Sequence, residues 1–199
     1  MSTRRSRGRR RGASETRGEI LEAARECFAA AGFRGTTIRS VAAAAGVDPA
    51  LVHHYFGSKD DLFLAALAVP VDPREILPGV LAGGLDGAAE RILRTVLPLW
   101  DDPATRLPLV AVVRSSMSPD VNIDLMQQGL LRMILTPLRD ALPPGEGDRR
   151  AQLFATQMIG LFLARYVLAF EPLASMSHDE LVAWVAPNLQ RYLTGPAPG

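Results

Sequence analysis

The sequence predicts an all-α protein, on three observations. Alanine and leucine dominate a chain that is 48% hydrophobic. Runs of β-branched residues are scarce, and the 15 prolines fall mostly between apolar stretches of helical period. A chain of 199 residues can bury one good core with a smaller unit appended. The expected division is an arginine-rich tail over 1–14, a small helical unit over 15–69, a larger helical bundle over 70–194 and a short tail over 195–199.

The first helix is expected to open on a capping box of Thr16 and Glu19. Ile20, Leu21, Ala24, Cys27, Phe28 and Ala31 follow at helical spacing until Gly32 offers a left-handed stop. Thr36 or Thr37 caps a second helix, where Ile38, Val41, Ala42 and Ala45 share a face before Gly46 ends it after about nine residues. Asp48 as N-cap and Pro49 as first helical residue start a third helix, which runs through Leu51, Val52, Tyr55 and Phe56 to Gly57. Ser58 caps a fourth, with Asp60 and Asp61 in its first turn and Leu62, Phe63, Ala66 and Leu67 on its apolar side. Beyond Pro70 the pattern predicts longer helices over 86–100, 104–117, 119–142, 149–171 and 178–193.

Charge is unevenly spread. Of the 22 basic residues, seven arginines lie in residues 1–20 against two of the 21 acidic ones. Such a run reads either as a solvated tail or as an arm that seeks phosphates or the minor groove. No apolar segment follows it before Glu15, so no secretory signal is expected. The longest apolar run, 158–170, falls short of a membrane span and contains Arg165. A single cysteine, Cys27, offers neither a disulfide nor a zinc pattern, which points to a reduced cytoplasm.

Two short helices joined by a tight glycine turn are how proteins set a second helix in the major groove. Gly46 allows the positive φ that the turn requires, and Val47 packs back to fix the interhelical angle. The stretch from Thr36-Thr37-Ile38-Arg39 through Gly46-Val47-Asp48-Pro49 and His53-His54-Tyr55-Phe56-Gly57-Ser58-Lys59 to Leu62-Phe63 resembles the N-terminal domain of the TetR/AcrR family of repressors. The resemblance covers about 50 residues, Ile20 to Leu67. It implies a three-helix helix-turn-helix DNA-binding domain followed by a larger ligand-binding and dimerisation bundle. Trp100 to Pro103 and the Arg165-Tyr166 neighbourhood resemble one actinobacterial-type subgroup.

By that resemblance Thr37, Arg39, Tyr55 and Lys59 meet backbone phosphates, the first two helped by the free amides of a helix start. Pro49, Ala50, Leu51, His53 and His54 face the groove, with Val52 and Phe56 turned inward. The histidine pair departs from the family, which more often has tyrosines there. If either ring meets phosphate, operator affinity is expected to rise as pH falls from about 8 to 6. Neighbouring side chains on a helix splay by about 100°, so the pair is not expected to hold a metal. Lys59 is the only lysine in the chain, which favours a compact ammonium at that point.

In the bundle, Thr156, Gly160 and Ala164 share a face and, with the helix of Trp184 and Leu189, are expected to form a homodimer interface of four helices. Trp100, Arg114, Met117, Met126, Gln127, Met133, Gln157, Met158 and Phe162 are candidates to line a pocket for a small, largely apolar effector. Arg114 and Arg165 sit in apolar runs and need carboxylate or carbonyl partners.

Three histidines and one cysteine form no catalytic set, and neither a nucleophile elbow nor a P-loop occurs, so no enzyme, cofactor or metal is expected. The expected partners are double-stranded operator DNA, a second copy of the chain and the effector, with no membrane. An activator on the same fold, and an architectural protein that binds all DNA alike through its arginine tail, are the alternatives.

Overall fold

A computed structural model describes residues 13–69, 71–116, 129 and 131–197, the side chains of 111–116 excepted. Local capping starts the helices where side-chain oxygens can meet free amides. α1, Ala13–Gly35, begins ahead of Thr16, which therefore lies inside the helix instead of capping it, and bends at Gly32. Thr36 does not cap either. It is buried, and its hydroxyl donates to the Cys27 and Gly32 carbonyls, which ties the turn to α1. Thr37 caps α2, Ile38–Ala45, in a reciprocal box with Ser40. Asp48 caps α3, Pro49–Phe56, and a Ser58–Asp61 box opens α4, Lys59–Ala66.

The chain then forms α5, Pro73–Leu81, α6, Ala88–Asp101, and α7, Pro103–Ser116. After these come α8, Arg132–Ala141, α9, Gly147–Phe162, and α10, His178–Thr194. α5 was not expected, because Pro70, Pro73 and Pro78 read as a break. Pro73 in fact occupies the first helical position, where the ring is tolerated, under an Asp72 cap. Pro78, Pro98, Pro108, Pro137 and Pro187 all lie inside helices. Pro78, Pro98 and Pro187 are exposed, so the carbonyl that each leaves without its usual donor can meet water. The helix expected over 149–171 also ends early: α9 widens into a π-helical turn, Leu163–Val167, and the chain leaves it at Ala169 with φ +51°.

Two apolar cores result. α1 packs on α2 and α4, and α3 on α2 and α4, around Ile20, Phe28, Phe33, Val41, Val52, Leu62 and Phe63. The larger core joins α5, α6, α8, α9 and α10, with α6 against α10 and α8 against both α5 and α9. Met133 of α8 is buried in the first core while Leu138, on the same helix, is buried in the second, so α8 is shared. Among the described residues no helix is long and apolar enough to cross a membrane.

Candidate nucleic-acid interface and ligand cavity

The helix-turn-helix head is built from its caps. Gly46 takes φ +66° and ψ 32°, its amide donates to the Ala42 and Ala43 carbonyls, and Val47 donates to Ala42 at 2.9 Å. This left-handed closure sets α3 across α2. The Asp48 carboxylate accepts from the Ala50 amide at 2.8 Å. Val52 is fully buried and Phe56 nearly so, so α3 is anchored by two side chains four apart. Ala50, His53 and His54 are exposed in consequence, with Pro49, Leu51 and Tyr55 half-buried at the flanks. Thr37 and Arg39 stand exposed at the start of α2. None of these eight residues is buried, so each is open to solvent at least in part.

Lys59 is placed differently. Its Nζ lies 4.4 Å from the centre of the Phe33 ring, and burial, more than the nearby Arg132, pulls its pKa below the ordinary lysine value despite Asp60. Arg17, which the helix-turn-helix motif does not include, lays its guanidinium 5.0 Å over Phe56 at the end of α3.

An ionic cluster joins the head to the bundle. Arg74, just inside α5, bonds Asp72 and reaches Asp61 in the first turn of α4. Arg132 at the start of α8 donates to Asp60 at 3.0 Å and lies 5.2 Å over Phe33. Hydrogen bonds from Arg74 hold the Asp61 and Asp72 carboxyls below the usual value of 3.8 and push the Arg74 pKa up. Depressed carboxyl values stabilise the fold above the unfolded pKa and lose that contribution as pH falls through the folded one. The melting temperature is therefore expected to drop as pH falls below about 4, and Asp61→Asn should show a smaller drop over that interval. Parallel melting curves of the two proteins at pH 6 and pH 3 check this.

Behind the cluster lies a cavity of about 290 Å³ between α5, α6, α8 and α9, near the lower end of the roughly 300–1,000 Å³ usual for ligand sites. Its lining among the described residues is aliphatic and aromatic, with no charged side chain. Val69, Val71, Pro73, Ile76 and Leu77 come from the α4–α5 stretch, and Ile92, Val96, Leu99, Trp100 and Leu109 from α6 and α7. Leu131, Ile134, Leu135, Leu138, Phe154, Ala155, Met158, Ile159 and Phe162 complete it. Trp100 stacks on Phe162 with centroids 4.6 Å apart and planes at 5°. Of the residues expected at a pocket, Trp100, Met158 and Phe162 are among those that line this cavity. Met133 is not, since it faces the other core, and Gln157 is exposed. Met117, Met126, Gln127 and the side chain of Arg114 lie outside the described residues.

Beside the cavity, Tyr166 donates to Asp101 at 2.7 Å and His178 meets the other Asp101 oxygen at 2.5 Å. Burial, then the bond to Asp101, pushes the Tyr166 hydroxyl up to about 12. Burial works against ionisation of Asp101, yet the bonds from Tyr166 and His178 keep its carboxyl below the usual value. Arg165 finds carbonyl partners, Leu173 and Met176, so its guanidinium closes the loop after the π-helical turn.

Thr156 and Gly160 on α9 are exposed and Ala164 is half-buried, and nothing lies within 4 Å of the Cβ that Gly160 lacks. Leu153 of α9 and Trp184 of α10 are large apolar side chains left exposed, the latter at 74%. Leu189 is the exception among the expected interface residues: it is fully buried in the chain's own core. Among the described residues no group of three or more histidine, cysteine or acidic side chains is placed to hold a metal. The Asp60–Asp61–Arg74–Arg132 cluster went unseen in the sequence, since its members meet across a tertiary contact. The one local signal was the Asp72-Pro73-Arg74 helix start.

Comparison with known proteins agrees with this architecture. A family model described as bacterial regulatory proteins, tetR family, matches residues 20–66. A second, described as the tetracyclin repressor-like C-terminal domain, matches residues 86–193. The HTH-type transcriptional repressor AcnR of Corynebacterium glutamicum is 46% identical over 52 residues, 26% of this chain and 28% of that protein. The HTH-type transcriptional regulator BetI of Paraburkholderia phytofirmans is 28% identical over 111 residues, 47% of this chain and 57% of that protein. The alignments thus span between a quarter and three fifths of these relatives' lengths. A crystal structure of a TetR-family regulator from Streptomyces coelicolor is 36% identical, with a TM-score of 0.52, over 94% of this chain and 99% of that one. The helix-turn-helix, the helical bundle behind it and these matches together place the chain in the TetR family of bacterial regulatory proteins.

Proposed function

We propose that this chain is a transcriptional repressor that binds a palindromic operator as a homodimer and releases it when a small, uncharged, apolar ligand fills the cavity. The observation that carries the reading is the geometry of α3, anchored by Val52 and Phe56 so that Ala50, His53 and His54 stand clear of the protein. A helix presented in this way fits the major groove. The name of the relative AcnR supports repression over activation.

In this reading Thr37 and Arg39 hold phosphates at the start of α2, with Tyr55 at the flank of α3. Lys59 has a lesser part, because its ammonium is already engaged with the Phe33 ring. Pro49, Ala50 and Leu51 give apolar contact to thymine methyls and sugars, and His53 and His54 reach base edges. Two such helices must be about 34–36 Å apart to read a palindrome. The outward face of α9 and α10, with Gly160 open to a close partner, supplies the surface for a second copy.

α5 and α8 connect cavity and head. Ile76 and Leu77 of α5 and Ile134 and Leu135 of α8 line the cavity, while Arg74 and Arg132 on the same helices hold the Asp60 and Asp61 carboxylates of α4. A ligand acts by favouring an arrangement of these helices that mis-spaces the two heads, to the extent that it binds that arrangement better.

The reading is tested by light scattering on the protein mixed with duplex operator. Two chains per palindromic duplex are expected, and one chain per duplex, or the same binding to any duplex, contradicts it. The cavity has its own test. N-phenyl-1-naphthylamine, an uncharged apolar fluorophore, is expected to bind with enhanced emission, and Ala155→Trp should weaken that binding at least tenfold, or about 1.4 kcal/mol. Unchanged binding of the fluorophore to Ala155→Trp would place its site elsewhere.

A further inference from the structure

The turn that ends α3 sets a backbone carbonyl against the His53 ring. Gly57 takes φ +75° and ψ −74°, and the Ser58 amide donates across it to the Phe56 carbonyl at 2.9 Å. This is a γ-turn of the rare positive-φ kind. A side chain is disfavoured there twice over, by the backbone angle and by Asp61 Oδ2, 3.2 Å from where a Cβ would stand. The turn swings the Gly57 carbonyl back toward the helix, where it lies 2.7 Å from His53 Nδ1. Meanwhile the Gly57 amide donates to the His53 carbonyl at 2.8 Å, so residue and turn are joined at two points.

A carbonyl oxygen can only accept, so the hydrogen in this bond belongs to Nδ1. A neutral imidazole has one N–H, and Nε2 is then left as an acceptor alone. In the major groove an acceptor finds partners only in the exocyclic amino groups, N6 of adenine and N4 of cytosine. It is repelled by guanine O6 and N7, by thymine O4 and by phosphate oxygens. We propose that His53, held in its Nδ1–H form by the Gly57 turn, specifies adenine or cytosine at one position of each half-site and does not serve as a phosphate contact while neutral. The inference rests on the reading of α3 as the helix that enters the groove.

Two experiments at pH 8, where histidine as a class is neutral, test it. Two-bond proton–nitrogen correlation spectra of the free protein should place the His53 hydrogen on Nδ1; a hydrogen on Nε2 overturns the inference without reference to DNA. Binding-site selection with the wild type and His53→Ala should return the same palindrome, with the variant losing an adenine or cytosine preference at one position per half-site. Replacing that adenine by purine, or that cytosine by 2-pyrimidinone, removes the amino group. This should cost the wild type about tenfold in affinity and His53→Ala nothing. A guanine or thymine preference at the affected position, or indifference of the wild type to loss of the amino group, overturns the proposal. A wild type that selects no palindrome overturns the reading of α3 itself, and this proposal with it.

Discussion

Phe63→Ala is expected to lower the stability of the reading head by about 3–5 kcal/mol and to abolish operator binding near physiological temperature. Phe63 is fully buried on α4, and its ring meets Phe28 and Phe33 edge-on, each at 5.0 Å. Phe28 and Phe33 lie parallel at 6.0 Å, so removing Phe63 takes the common partner from both. From the bundle side the backbone of Gly129 closes directly on the Phe63 ring and Met133 is buried in the same cluster. The hole is therefore enclosed on several sides, by Phe28, Phe33, Met133 and the Gly129 backbone, and an enclosed cavity is the costly case for a large-to-small change. Against a typical total of about 5–15 kcal/mol, such a loss is decisive. Urea denaturation followed by circular dichroism, with operator affinity measured in parallel, checks it. A loss below about 1 kcal/mol would show that the aromatic trio is not what holds α4 to α1.

Breaking the proposed pairing of chains has the second large effect. Gly160→Arg together with Trp184→Asp places charge on the outward face of α9 and α10, where Gly160 has open space and Trp184 is largely exposed. Neither residue contributes to the larger buried core, so the monomer should remain folded. Linking two half-site contacts in one particle raises affinity by about 10²–10⁴, and its loss should weaken operator binding by a factor in that range. Light scattering should report one chain where the wild type shows two. A double variant that still dimerises, or a wild type that is monomeric, would move the interface elsewhere.

How much of this was legible in the sequence divides along the range of the interactions. The helix-turn-helix was readable because each of its decisions is local: Thr37 and Asp48 cap, Pro49 starts, Gly46 turns, and Val52 and Phe56 recur at helical period. Thr16 misled because a capping box is also an ordinary i, i+3 pair inside a helix, and α1 begins at Ala13. α5 was hidden because proline in a sequence reads as a break, whereas Pro73 serves as a helix start.

In the bundle, period told which residues are buried but not against what. Leu189 and Met133 have the pattern of buried positions, yet Leu189 packs within its own chain and Met133 serves the reading head instead of the cavity. Gln157, next to Met158 in the chain, is turned about 100° around the helix axis, enough to put it outside the cavity. The ionic cluster of Asp60, Asp61, Arg74 and Arg132 unites residues from three helices, and no sequence spacing announces it.

The central claim is that paired copies of α3 read a two-fold symmetric operator. Selection of bound fragments from genomic DNA tests it most directly, because it presupposes neither the operator nor the ligand. The fragments should share a palindrome whose half-sites are centred about 10–10.5 base pairs apart, or a multiple of that. Fragments with no shared palindrome, captured in proportion to their length alone, would contradict it.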